Sequence, residues 1–244
     1  MMSVNLIGST IGGKVLYLLM GIFYVMSLSS LTYGENVDVG KLLGIRDKEE
    51  LTRMATEAEK VFEKIPKDRD NLLTLGIVYH NLAGMMLKGT SKKCIDYLKP
   101  ANKLYPEDPL ILAVLGCCIT MAGRDASNIP DKIRFVNEGT PMIDKAVSMA
   151  PDDVFIRMVR ASDSAGLPKL FGRMKYVKDD LLHVEGILKR SSKNVPLDFQ
   201  TEVYYKLGIT YKSEGDESSA KSYFKKTVEL SPDSEWGKKA KREL

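Results

Sequence analysis

Histidine occurs only twice in these 244 residues and tryptophan once, and no H-E-x-x-H or comparable metal-binding spacing is present. Gly-x-Ser-x-Gly is also missing, and no carboxylate pair stands out among the 32 acidic residues. The sequence therefore nominates no catalytic residue, no metal ligand and no cofactor, and an enzyme becomes the minority reading. Cysteine is scarce and odd in number, with Cys94, Cys117 and Cys118. An odd count leaves at least one thiol unpaired, so a disulfide framework is not the organising principle, and the three are read as small buried hydrophobes. Charge of one sign is lacking too: 36 basic against 32 acidic side chains leave only +4. So small an excess implies no strong field for a polyanion and argues against nucleic acid as the partner.

The first 34 residues carry a single charge, Lys14, followed by the 17 uncharged residues VLYLLMGIFYVMSLSSL. A basic start, an apolar run from Val15 to about Met26 and small residues ahead of Glu35 mark a secretory signal. Residues 1–34 are accordingly expected to be a signal peptide or, if uncleaved, an N-terminal membrane anchor, with an exported, periplasmic or cell-surface domain after them. Seventeen residues lie at the lower edge of what spans a bilayer. Within the same stretch Gly8 to Lys14 nearly spells a phosphate-binding loop. Val15 stands where the hydroxyl should be and no strand precedes it, so the match is discounted.

The rest of the chain is periodic. In EVYYKLGITYKSEGDESSAKSYFKKTVELSP (202–232), Tyr204, Leu207, Gly208 and Tyr211 recur at helical spacing. Gly215-Asp216 breaks the run, Ala220, Phe224 and Thr227 resume it, and Pro232 ends it. Small Gly208 and Ala220 let two helices approach while the aromatics fill the space between them. Leu72, Leu75, Gly76 and Tyr79, then Cys94, Leu98 and Ala101, repeat the design, as do Leu112, Leu115 and Gly116 with Ile143 and Ala146. Prolines at 66, 106, 151 and 232 punctuate the series, each with an acidic residue nearby that can cap the next helix. Residues 35–46 are expected to be a linker, Asp47 opens a capping box with Glu50, and 47–244 are expected to form the repeat domain. The polar stretch GRDASNIPDKIRFVNEG (123–139) is longer than a repeat loop needs, so it either extends the second helix or hangs over one face.

The succession aromatic, Leu-Gly, Tyr, Ala, Phe, Pro resembles the tetratricopeptide repeat (TPR). Thr227 departs from it where the family prefers Ala. The resemblance implies an all-α, TPR-like α-solenoid of three to four stacked antiparallel hairpins, of the exported bacterial kind, working as a scaffold for protein–protein interaction. In that frame the first helix of each hairpin lines the concave surface. The lining residues singled out are Ile77, His80, Asn81, Cys117, Met121, Ile156, Arg160, Asp163, Tyr205 and Lys212. The mixture of apolar and polar groups suits a partner peptide or helix. Arg160 is the choice for gripping a partner's carboxylate, because its planar fork pairs bidentately. The plainer reading, and the one helical spacing favours, is an internal ion pair of Arg157 or Arg160 with Asp153 or Asp163. An accessory role in an envelope transport or assembly system, handling a small ligand, is the alternative function. The membrane is involved only through the N-terminal segment if uncleaved, and self-association is compatible with such an array.

Overall fold

A computed structural model of the protein describes residues 37–244. The signal or anchor expected over residues 1–34 lies outside the described residues. The described residues contain helices and no strand: α1 (Val39–Gly44), α2 (Lys48–Lys64), α3 (Arg69–Gly84), α4 (Thr90–Leu104), α5 (Pro109–Asp125), α6 (Ile129–Met149), α7 (Val154–Gly166), α8 (Met174–Arg190), α9 (Leu197–Ser213), α10 (Glu217–Leu230) and α11 (Glu235–Lys241). A 3₁₀ turn, Lys169–Phe171, joins α7 to α8, and Gly172 leaves it with φ +65°.

Helices α3/α4, α5/α6, α7/α8 and α9/α10 are four antiparallel hairpins, each packed on the next, with α2 before the first and α11 behind the last. The architecture is a TPR-like α-solenoid. Its punctuation follows from the acidic caps: Asp47, Asp68, Asp108 and Asp153 each accept a hydrogen bond from the first turn of the helix that follows, at 2.7–3.1 Å. After Pro232 the cap changes, and Ser234 rather than Asp233 takes the role for α11. In α3/α4, α5/α6 and α9/α10 the two halves of the hairpin meet through glycine. A Cβ on Gly208 would stand 2.5 Å from the Phe224 ring, and one on Gly116 would stand 2.7 Å from the carbonyl oxygen of Gly139 on α6. The polar stretch 123–139 turns out to extend the second helix of its hairpin, which begins at Ile129 under an Asn128 cap.

Two expectations are corrected here. Residues 35–46 are not merely a linker, because α1 folds within them and buries Gly40, Leu42 and Leu43. The apolar pair is what drives docking, and Gly40 permits it: a Cβ there would lie 2.7–2.8 Å from Phe155 and Pro196. Cys94 and Cys118 are not separate small hydrophobes but form a disulfide that ties α4 to α5, with Cα atoms 6.1 Å apart and a separation of 24 positions in sequence. Cys117 remains a free, buried thiol. The main core runs from α1 to α7, and a second core lies under α7, α8 and α9.

Candidate functional site

The first helices α3, α5, α7 and α9 line a shared inner surface, and α1 lies against it, touching α3 and α9. Asn81 on α3 donates from Nδ2 to the carbonyl oxygens of Leu42 (2.9 Å) and Ile45 (3.3 Å), fastening the end of α1. Arg46 reaches the other side, pairing with Glu202 of α9 at 3.2 Å. With α1 in place the inner surface forms a half-open cavity of about 470 Å³, walled by Met121, Phe155, Met158, Val159, Phe199 and Trp236 among others. Sites for small molecules commonly measure about 300–1,000 Å³ and are mostly apolar with a few polar groups.

Those polar groups come from adjacent first helices. His80 Nδ1 lies 3.1 Å from Asn81 Oδ1 and its Nε2 lies 3.3 Å from Cys117 Sγ. Because the Asn81 amide nitrogen already faces two carbonyls, its oxygen accepts, which assigns the proton to Nδ1 and leaves Nε2 to accept from the thiol. Burial holds the imidazole neutral, with its pKa lowered to about 4. Burial and the charge of Asp163 push the Cys117 thiol well above its ordinary value, so it stays protonated and is a poor nucleophile. Thr120 donates to Asp163 Oδ1, whereas Oδ2 is buried without a partner. Loss of solvation raises Asp163 to about 6. No group of three His, Cys, Asp or Glu side chains able to hold a metal occurs among the described residues.

Of the ten residues singled out, His80, Asn81, Cys117, Met121 and Asp163 meet at this cavity. Ile77 and Ile156 do not: both are fully buried in the main core. Arg160 is withdrawn as well. Its Nε and Nη2 each sit 2.7 Å from the carboxylate of Asp180 on α8, and its guanidinium lies 4.5 Å over the Tyr176 ring. The internal ion pair therefore prevails, but with Asp180 rather than Asp153 or Asp163; Arg157 joins it at 2.7 Å. Tyr205 lies under α11, its ring 5.4 Å from Trp236. Lys212 is paired with Glu243 at 2.8 Å. Reasoning from the sequence missed Leu43, Arg46, Phe155 and Phe199. The buried pair Leu42-Leu43 was the one available signal for α1.

The geometry defines a class, the α-solenoid of TPR type, and comparison with known proteins agrees. Residues 201–234 match the family model described as tetratricopeptide repeat. The chain carries a TPR and has the fold of a TPR protein. Its structure is similar to that of a thermophilic TPR protein of Thermus thermophilus, with TM-score 0.64, 16% identity, and coverage of 80% of this chain and 91% of that one. Crystallised MamA is also similar, with TM-score 0.48, 17% identity, and coverage of 86% and 99%. Comparison with curated proteins returns no match. TPR proteins as a class act as scaffolds that bind protein partners, and the fold is typically non-enzymatic.

Proposed function

We propose that the protein is a non-enzymatic, exported scaffold that takes a partner peptide or short helix on its concave surface. The observation that carries this reading is α1 itself. The surface holds a six-residue helix of the same chain by burying two leucines and by binding backbone carbonyls through Asn81. A surface that accepts one amphipathic segment has the chemistry to accept another in the cavity beside it. The preformed walls keep the ordering cost of binding low. Export is favoured by the apolar N-terminal run and by the Cys94–Cys118 disulfide, a bond that persists in oxidising compartments.

Panning a displayed-peptide library on the full-length chain tests the reading. Selected peptides are expected to lose at least about tenfold in affinity for Met121→Trp, which fills the cavity, and none for Lys99→Ala on the exposed side of α4. Peptides indifferent to Met121→Trp, or no peptides at all, would refute it.

A further inference from the structure

Asp163 presents an unusual electrostatic situation. It is 9% exposed, lies in an apolar cavity, and forms no ion pair among the described residues. The cations around it are committed elsewhere. Arg173 acts on it through charge alone, without an ion-pair contact, because its Nη1 and Nη2 lie on Asp144 at 2.6 and 2.7 Å. Arg46 and Lys206 both reach Glu202, at 3.2 and 3.5 Å. Arg124 is held by the carbonyl of Ala83 at 3.0 Å and by Asp125 at 2.9 Å. The neutral His80 adds no positive charge. A carboxylate left in such surroundings costs stability unless a counter-ion arrives.

We infer that this cavity binds a primary ammonium group on an apolar stem, with Asp163 as counter-ion and Phe155, Phe199 and Trp236 around the stem. The ammonium supplies a donor for Oδ2 and a direct ion pair, neither of which a described side chain provides, and the aromatic faces favour a cation near them. An anion would meet the repulsion of Asp163, and an alcohol would gain only an uncharged hydrogen bond. The ammonium has two sources, a free small amine or a lysine side chain of a partner segment. The inference is independent of the protein-partner reading, since a free amine can bind where no peptide does.

The test is calorimetric titration of the full-length chain with 2-phenylethylammonium, 2-phenylethanol and 3-phenylpropionate, and with the blocked tripeptide Leu-Lys-Leu against its norleucine counterpart. At least one ammonium probe is expected to bind about tenfold or more tighter than its uncharged match, an advantage that Asp163→Asn abolishes. Binding by the amine alone identifies a small ligand; binding by the lysine peptide alone identifies a partner's side chain. Equal binding of charged and uncharged probes, preference for the carboxylate, or no binding would overturn the inference. In the last case a water bridging Asp163 Oδ2 and Arg173 Nε, both without partners, would be the occupant. The comparison within the wild-type protein decides even if the variant fails to fold.

Discussion

Replacing Asp180 with alanine is the sharpest test of how the α7/α8 hairpin is held. The Asp180 side chain has no exposure, and those of Arg157 and Arg160 are each 12% exposed. Three guanidinium nitrogens converge on its two oxygens at 2.7 Å. Alongside, Asp144 takes both terminal nitrogens of Arg173, and one ring serves both arginines, with Arg160 and Arg173 at 4.5 and 4.3 Å from Tyr176. The cluster thus holds three guanidinium groups against two carboxylates. Removing Asp180 leaves two mostly buried cations facing each other with only Asp144 nearby. Deleting one partner of a buried pair costs about 3–5 kcal/mol, chiefly through the charge left behind. For a domain of this size that corresponds to a fall in Tm of about 6–20 °C. Urea unfolding followed by circular dichroism measures the loss, and hydrogen exchange should place it in α7 and α8, because repeat arrays fail locally. Asp96→Ala serves as control: its pair with Lys92 at 2.6 Å is exposed and should contribute less than about 0.5 kcal/mol. An Asp180→Ala loss below about 1 kcal/mol would refute the argument that this cluster, and not apolar packing, secures the hairpin.

Two further expectations concern the disulfide and the cavity. Reducing Cys94–Cys118 reopens a loop of 24 residues and should lower unfolding free energy by about 3 kcal/mol, measured by urea titration with and without reductant; no difference would mean the bond does not form in solution. The cavity's two titrating groups should pull stability in opposite directions with pH. Asp163, raised from 3.8 to about 6, binds its proton more tightly when folded, so its contribution is full below pH 3.8 and is lost as pH rises to 6. It faces Cys117 and Thr120 on α5, Asp144 on α6, and Arg173 ahead of α8. His80, lowered from 6.5 to about 4, contributes above pH 6.5 and loses that contribution as pH falls to 4. Thus Asp163→Asn should leave a protein that weakens on acidification through this range, and His80→Gln one that weakens on going from pH 4 to 6. Identical pH profiles for both variants would contradict the assignment.

The hairpin at 202–232 is legible because its determinants are local: Gly208 meets Phe224 within one repeat, at the offsets the sequence displays. Capping acids are equally plain. What escapes depends on register between repeats. Helical spacing offers Arg160 the partner Asp163 one turn away, whereas folding brings Asp180 from another helix to both of its donor nitrogens. Cys94 and Cys118 occupy small-residue positions in successive helices, and only the packing of α4 on α5 sets their Cα atoms 6.1 Å apart. Half the expected lining residues reach the cavity. Ile77 and Ile156 do not, because both are drawn into the apolar core, as aliphatic side chains are.

Helix α1 changes how this array transmits a disturbance. Six residues with two glycines do not form a stable helix alone, so α1 exists only through what it touches. Its anchors belong to distant repeats: Asn81 lies in the first hairpin, Glu202 in the fourth, and Phe155 between them. A plain solenoid couples each repeat to its neighbours alone. By resting on α3 and α9 together, α1 adds a contact that bypasses the intermediate repeats, so a change at Glu202 reaches Asn81 and His80 through one short segment. The same contact walls the cavity with Leu43 and Arg46. If the cavity binds as proposed, binding and docking of α1 would be linked: a ligand that presses on Leu43 would strain the first and last hairpins at once, and one that fits beneath it would hold them together.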